Sequence, residues 1–245
     1  MKKHPLPLSS QPNTSMLSPE ILQSLTSEVG FDDCGIAPAH RLDDDALFMD
    51  DWLRQGLHGN MSYLERNRTL RYDPCQLVPG AQTVVVCVLT YAHSGHDYHR
   101  AIKSRLYELE ARLIEQGYIT SSDEQNKFCD SAPFLERRWA VEAGLGFIGR
   151  NHQFIHTTLG SYVHLGELVL KEKCVSEKCV NEELTCQLTN LQTYKLKCAD
   201  CTRCIDACPG HALGQPQWDA TKCIAYITHK CTVCQDVCPL NNSNL

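Results

Sequence analysis

The sequence predicts an α+β domain, α/β-like in the way its strands and helices interleave, followed by a small domain pinned by cysteine. Three observations predict it. Strand and helix patterns alternate between residues 18 and 170. From Cys198 onward the periodicity gives way to short loops spaced by cysteine. Cysteine itself accounts for 15 of 245 residues, and eight of these fall between Cys198 and Cys238.

Residues 1–17 hold three prolines, three serines and no apolar period, which predicts a mobile tail. Ser18-Pro19 then reads as an N-cap and first helical residue, with Ile21, Leu22, Leu25 and Val29 on one face and Gly30 as the stop. A short strand is expected over Phe31–Ala37 and a helix over Asp43–Gln55, whose acidic first turn suits the helix dipole. Thr83–Leu89 is a continuous β-branched run of the kind buried on both faces. Tyr98–Gln116 places Ile102, Leu106, Leu109 and Leu113 at helical spacing before Gly117. Beyond it come a strand over Lys127–Cys129 and a helix over Pro133–Ala143 capped by Ser131. A hairpin is expected from Gln153–Thr158 and Tyr162–Leu170 across Leu159-Gly160. Residues 171–197 are polar and read as a linker, and 198–245 form the cysteine-rich domain.

A net charge of −6 and the lack of a lysine- or arginine-rich tract argue against a generally basic polyanion binder. The start, MKKHPLPLSS, has no apolar run behind its lysines, and no stretch approaches 18 apolar residues. The expectation is a cytoplasmic, monomeric protein without membrane contact. In that setting 15 cysteines point to metal before disulfides.

The run Cys198-Ala-Asp-Cys201-Thr-Arg-Cys204-Ile-Asp-Ala-Cys208-Pro209 fits the C-x2-C-x2-C-x3-C-P spacing of bacterial ferredoxins. A second group is Cys223 with Cys231-Thr-Val-Cys234-Gln-Asp-Val-Cys238-Pro239. Two-residue gaps let one tight loop offer three thiolates, and the fourth arrives from elsewhere. Cys198, Cys201, Cys204 and Cys238 are therefore assigned to one [4Fe–4S] cluster. Cys208, Cys223, Cys231 and Cys234 are assigned to a second. Zinc would accept such sets, but the interlocked repeats favour iron–sulfur. Cys34, Cys75, Cys87 and Cys129 read as buried thiols, and Cys174, Cys179 and Cys186 are spaced too loosely for a motif.

Gly144-Leu-Gly146-Phe-Ile-Gly149 matches a dinucleotide fingerprint, but it follows a helix where that fingerprint needs a strand before it. It reads as a helix stop and a tight turn. Asp130 sits between a predicted strand and a predicted helix, where a carboxylate is either a cap or a general acid. In Asp97-Tyr98-His99 a capping or packing role outweighs cobalt ligation, because Ile102 stands where the corrinoid motif has glycine.

Taken together, Asp130-Ser-Ala-Pro133, the segment Glu142 to Asn151, Gly160-Ser-Tyr162, Leu165-Gly-Glu167 and the double-cysteine end resemble the epoxyqueuosine reductase family. Gly35-Ile-Ala37, Tyr63-Leu64, Arg71 with Pro74, Leu77-Val-Pro-Gly80 and Asp97-Tyr-His99 fit the same pattern. The resemblance implies a cobalamin-dependent, two-cluster enzyme that completes queuosine in tRNA, fed by a low-potential donor such as a flavodoxin or ferredoxin. It implies that Asp130 is the proton donor and that Arg71, Asp130, Asn151, Gln153, Phe154, Ser161 and Leu165 line the corrin. Against the family pattern, only seven residues separate Cys223 from Cys231, and the form is a shortened one, lacking a C-terminal helical-repeat segment. Arg66, Arg68, Arg71, Arg137 and Arg138 are then the candidate patch for RNA. Two other readings stay open: the same redox core acting on another epoxide or a halogenated small molecule, and a ferredoxin-like electron carrier without corrinoid.

Overall fold

A computed structural model describes residues 17–120, 123, 125–174, 197–228 and 230–241. Its centre is a four-stranded sheet built from β1 (Asp33–Pro38), β2 (Thr83–Thr90), β3 (Lys127–Phe128) and β6 (Val163–Leu170), in the order β1-β2-β6-β3. A separate two-stranded ribbon joins β4 (Gly146–Ile148) to β5 (Phe154–His156). The helices of this half are α1 (Pro19–Glu28), α2 (Asp43–Arg54), α3 (Arg68–Tyr72), α4 (Pro74–Leu77), α5 (Tyr91–Ser94), α6 (Tyr98–Glu115) and α7 (Glu136–Glu142), with a 3-10 turn at Ser62–Glu65.

Every strand pair among the described residues is antiparallel, so the α+β expectation holds and the α/β-like part of it is corrected. The continuous valine run misleads because an antiparallel sheet usually leaves one face to water. Here both faces are covered. Val85, Cys87 and Leu89 face a layer with Leu22 and Leu25 of α1 and Ile102, Leu106, Leu109 and Leu113 of α6. Val84, Val86 and Val88 face the other layer, with Phe128, Phe134, Trp139 and Leu165.

Ser18 caps α1 by accepting from the Ile21 N–H, as its place before Pro19 predicts. Leu17, assigned to the tail, is buried in the first core layer instead. Asp97 accepts from the Arg100 N–H and caps α6, while the His99 ring stacks on Tyr98 at 4.0 Å.

Two elements differ from expectation. Residues 153–158 do not pair with β6. β5 turns back on β4, placing Gly146 opposite His156, because a side chain at Gly146 would collide with the Ile155 carbonyl and only glycine lets the strands close. Gly160, at φ +75°, then redirects the chain so that β6 reaches β2. The three glycines of the apparent fingerprint thus stop α7 and shape this ribbon.

The other difference concerns α7, which starts at Glu136, three residues late, without the Ser131 cap. Residues 171–174, placed in the linker, still pack on the sheet: Thr83 donates to the Glu172 carbonyl and accepts from the Cys174 N–H. Cys179 and Cys186 lie outside the described residues.

The cysteine-rich end consists of one-turn helices (Arg203–Asp206, Ile224–Thr228 and Val233–Asp236) and docks against the sheet half. Trp218 stacks on Trp52 of α2 with centroids 5.8 Å apart, and its carbonyl accepts from the Trp52 indole N–H. Of the short stretch between Cys223 and Cys231, Ile224–Thr228 forms a helix.

Candidate active site

Asp130 follows β3 with φ +51°, a left-handed conformation that costs an aspartate about 1 kcal/mol. The surroundings hold it there. The Tyr98 hydroxyl donates to Asp130 Oδ2 at 2.8 Å, and the Asp130 N–H donates to Glu136 Oε1. The capping alternative is not realised, since α7 begins six residues later with Leu135 as its cap position.

Asp130 lines a cleft of about 450 Å³ with Glu136, Arg137, Arg138 and Arg71. Phe48, Met49 and Trp52 of α2, Met61, Phe134 and Ile148 give it an apolar wall, and Trp218 of the cysteine-rich end closes one side. A second cavity of about 440 Å³ shares Phe48, Arg138, Ile148 and His152 with the first and continues past Gly149 and Arg150 to Gln215 and Pro216. Arg71 is 6 % exposed, and its guanidinium donates to the Leu64 and Arg66 carbonyls, which ties the 3-10 turn to α3.

Charge in this cleft is crowded. Burial, reinforced by the neighbouring Asp130 charge, pushes the Glu136 carboxyl up to about 8. Glu167 of β6 is 0 % exposed, with no hydrogen-bond partner on either carboxyl oxygen among the described residues. Burial lifts it well above the usual range, and Glu136 and Asp130 add to the effect. Arg137 faces Asp130 and Glu136 and donates to the His152 carbonyl at 3.0 Å.

The other corrin candidates are spread out. Phe154 and Leu165 are buried in the core layer under α7. Ser161 is bound to Gln235 and Asn241, joining the sheet half to the cysteine-rich end. The Gln153 N–H donates to Asn151 Oδ1 within the turn of the ribbon. Asn151 lies against the cysteines and donates to the Cys234 carbonyl. Only Arg71 and Asp130 of the seven reach the large cleft. Two of the five arginines in the patch are ion-paired: Arg68 with Asp50, and Arg138 with Asp45 and Glu142.

The cysteines gather in two sets. Cys198, Cys201, Cys204 and Cys238 surround a cavity of about 340 Å³, together with Arg150, Asn151 and Ile155. Burial raises the Cys204 thiol, and Cys198, Cys238 and Cys201 raise it further, as mutually close thiols must. Burial likewise pushes Cys234 up to about 11, and the neighbours that add to it are Cys204, Cys223, Cys231 and Cys208. The Arg150 N–H donates to Cys198 Sγ at 3.5 Å and the Ala212 N–H to Cys208 Sγ at 3.4 Å, a polarity that favours thiolate sulfur. No three described His, Cys, Asp or Glu side chains converge on a single-ion position. Four thiols ringed around a void fit a bulky cluster better than one tetrahedral ion.

Sequence reasoning missed Glu136 and Trp218, and it named Arg137 for an RNA patch where the structure sets it beside Asp130 and Glu136. Glu136 carried a signal, a carboxylate among two arginines, but the displaced helix start hid its return to Asp130. Trp218 carried none, since only the fold brings it to the cleft.

The class that this fold and site define is a cysteine-rich oxidoreductase. No protein-family model matches the chain. It is 33 % identical over 260 residues to an epoxyqueuosine reductase of Cyclobacterium marinum, covering 91 % of this chain and 78 % of the relative. It is also 33 % identical over 257 residues to one of Leadbetterella byssophila, covering 90 % and 79 %. The chain belongs to the epoxyqueuosine reductase family.

Among solved structures it matches an epoxyqueuosine reductase with an epoxyqueuosine-modified tRNA-Tyr stem loop, at TM-score 0.73 and 24 % identity over 91 % of this chain. It matches another from Bacillus subtilis, with its catalytic aspartate loop swung out of the active site, at TM-score 0.69 and 23 % identity over 91 % of this chain. The chain spans 65 % of the length of both. A reductive dehalogenase whose structure suggests a mechanism for B12-dependent dehalogenation shares the fold at TM-score 0.53 and 14 % identity, covering 97 % of this chain and 34 % of that one. At these identities the likeness to solved structures is one of fold.

No helix among the described residues is long and apolar enough to cross a membrane.

Proposed function

We propose that this chain reduces epoxyqueuosine to queuosine in tRNA, using cobalamin in the large cleft and two [4Fe–4S] clusters on the two cysteine sets. The observation that carries the reading is Asp130, an acid in strained backbone on a cleft that has one apolar wall and meets the cysteine-rich end at Trp218. Family membership supports the substrate, and the tRNA-bound relative supports an RNA partner.

The residues fit these groups. The cleft pairs apolar walls with the cationic Arg71, Arg137 and Arg138, which suits an apolar macrocycle with a polar amide fringe. Cys198, Cys201, Cys204 and Cys238 would hold one cluster, and Cys208, Cys223, Cys231 and Cys234 the other. Bound there, the corrinoid would supply the low-valent metal chemistry of deoxygenation, and the clusters would supply the electron path from a low-potential flavodoxin or ferredoxin.

The chain does the rest. Asp130 holds the proton that lets the epoxide oxygen leave as water, and Tyr98 orients its carboxyl through Oδ2. Met49, Trp52 and Phe134 give the cleft an apolar side, against which charge interactions are stronger than in open water.

The test is anaerobic reconstitution with iron, sulfide and cobalamin, followed by assay on epoxyqueuosine-containing tRNA with a low-potential reductant. Queuosine should form. Asp130→Asn should lower turnover by about 10²-fold or more while cluster absorbance stays unchanged. Undiminished activity in that variant would remove Asp130 as the acid. The ion pairs that occupy Arg68 and Arg138 favour a second reading, a small-molecule epoxide or halogenated substrate; cobalamin binding without tRNA turnover would select it.

A further inference from the structure

Deoxygenating an epoxide breaks two C–O bonds, forms a C=C bond, takes up two electrons and two protons, and releases water. Asp130 carries one proton. The site therefore needs a second, delivered where the first was used.

Glu136 is placed to provide it. It lines the same cleft as Asp130, its Oε1 accepts the Asp130 N–H, and the two carboxyls lie within hydrogen-bonding reach of each other. Behind them stands Glu167. In register it sits opposite Val86 on one side and Phe128 on the other, so its side chain enters the layer of Val84, Val86, Val88, Phe128, Phe134 and Trp139. A carboxyl with two unpartnered oxygens in such a layer contributes nothing to stability as an ion, and it is not at a position that packing requires to be acidic.

We propose that Glu136, backed by Glu167, is the proton store of the Asp130 site and returns a proton to Asp130 within each turnover. The inference rests on the reductase reading above. Glu136 acts through Asp130 and is a positioning acid. The step balances: Asp130 gives its proton to the departing oxygen and becomes a carboxylate, the Glu136 O–H transfers its proton to that carboxylate, Asp130 passes this second proton to the same oxygen, which leaves as water, and solvent restores both carboxyls between turnovers. The electrons come from the low-potential donor.

The groups facing the pair set when Glu136 holds its proton. Burial and the Asp130 charge favour the neutral acid, and Arg137 opposes them. Tyr98, Tyr91 and His164 face Asp130 from α6, α5 and β6, and Cys129 precedes it in the chain. With Glu136 near 8, the store is charged at neutral pH and empties as pH rises through that value.

Glu136→Gln separates this role from a structural one, because the amide oxygen still accepts the Asp130 N–H. In the reconstituted enzyme the variant should lose about tenfold or more in turnover at pH 7 and lose the alkaline limb near pH 8, and Glu136→Asp should restore part of both. Wild-type rate and limb in Glu136→Gln would overturn the proposal. Infrared difference spectra read the store without substrate. The wild-type protein should show one protonated carboxyl that titrates near pH 8 and disappears in Glu136→Gln, and a second that persists above pH 8 and disappears in Glu167→Gln. Absence of the titrating band would refute the store even if tRNA is reduced. Its presence in a protein that fails on tRNA would place the failure in the substrate reading, not in the store.

Discussion

Two glutamates are buried on opposite sides of the same sheet, and their surroundings could hardly differ more. Glu110, on α6, is 2 % exposed and meets Lys127 Nζ at 2.7 Å and Asn126 Nδ2 at 3.0 Å. Lys127 in turn donates to the Asp123 carbonyl and to Asn126 Oδ1, and lies 4.6 Å from the Tyr107 ring centroid. Glu167, on β6, meets neither a cation nor a donor among the described residues. One carboxyl is locked into a hydrogen-bonded, ion-paired network, and the other is left as a buried neutral acid that feels the charges of Glu136 and Asp130. The network explains itself as architecture: it ties α6 to β3 next to the loop that carries Asp130. The lone acid has no architectural explanation, which is why a chemical one is sought for it.

The comparison breaks most visibly at the lock. Lys127→Met strands the Glu110 carboxylate in the interior and should destabilise the protein by about 3–5 kcal/mol, read as a lower urea midpoint with unchanged slope. Replacing both partners, Glu110→Leu with Lys127→Met, should recover most of that loss, because no charge is left unpaired. If the double variant is as unstable as the single, the network holds the fold by its geometry and the contrast with Glu167 weakens.

How far the sequence discloses each feature follows from the range of the interactions involved. β2 and α6 are legible because their apolar periods are local and long. The eight cysteines are legible because cluster chemistry imposes spacing within a single loop. The partner of β5 is not, since it depends on a close approach between Gly146 and the Ile155 carbonyl that no period records. Asp130 could be singled out at a strand end, but Glu136 could not. Its role depends on α7 starting late enough for the carboxylate to fold back six residues. Glu167 was visible within Leu165-Gly-Glu167, yet only the register opposite Val86 and Phe128 reveals that it points inward with nothing to meet it.

The smaller effect lies with Glu167 and has the opposite sign. Its folded carboxyl titrates well above the ordinary value of 4.5, so above that pH the native state holds a proton that the unfolded chain has released. Wild-type stability should therefore fall as pH rises from about 4.5, by up to about 1.4 kcal/mol per pH unit for this one proton. Glu136 adds a similar slope that ends near pH 8. Glu167→Gln, which keeps the shape and cannot ionise, should remove the Glu167 share of the slope: stability equal to wild type at pH 4, and higher at pH 7. Chemical denaturation of wild type and variant at those two pH values measures it, and parallel pH dependences would show that Glu167 is not held neutral. A variant that is more stable than wild type and slower in turnover would identify Glu167 as a residue retained at a cost to the fold. Glu110 cannot produce that result, because every substitution that separates it from Lys127 leaves a buried group unpaired.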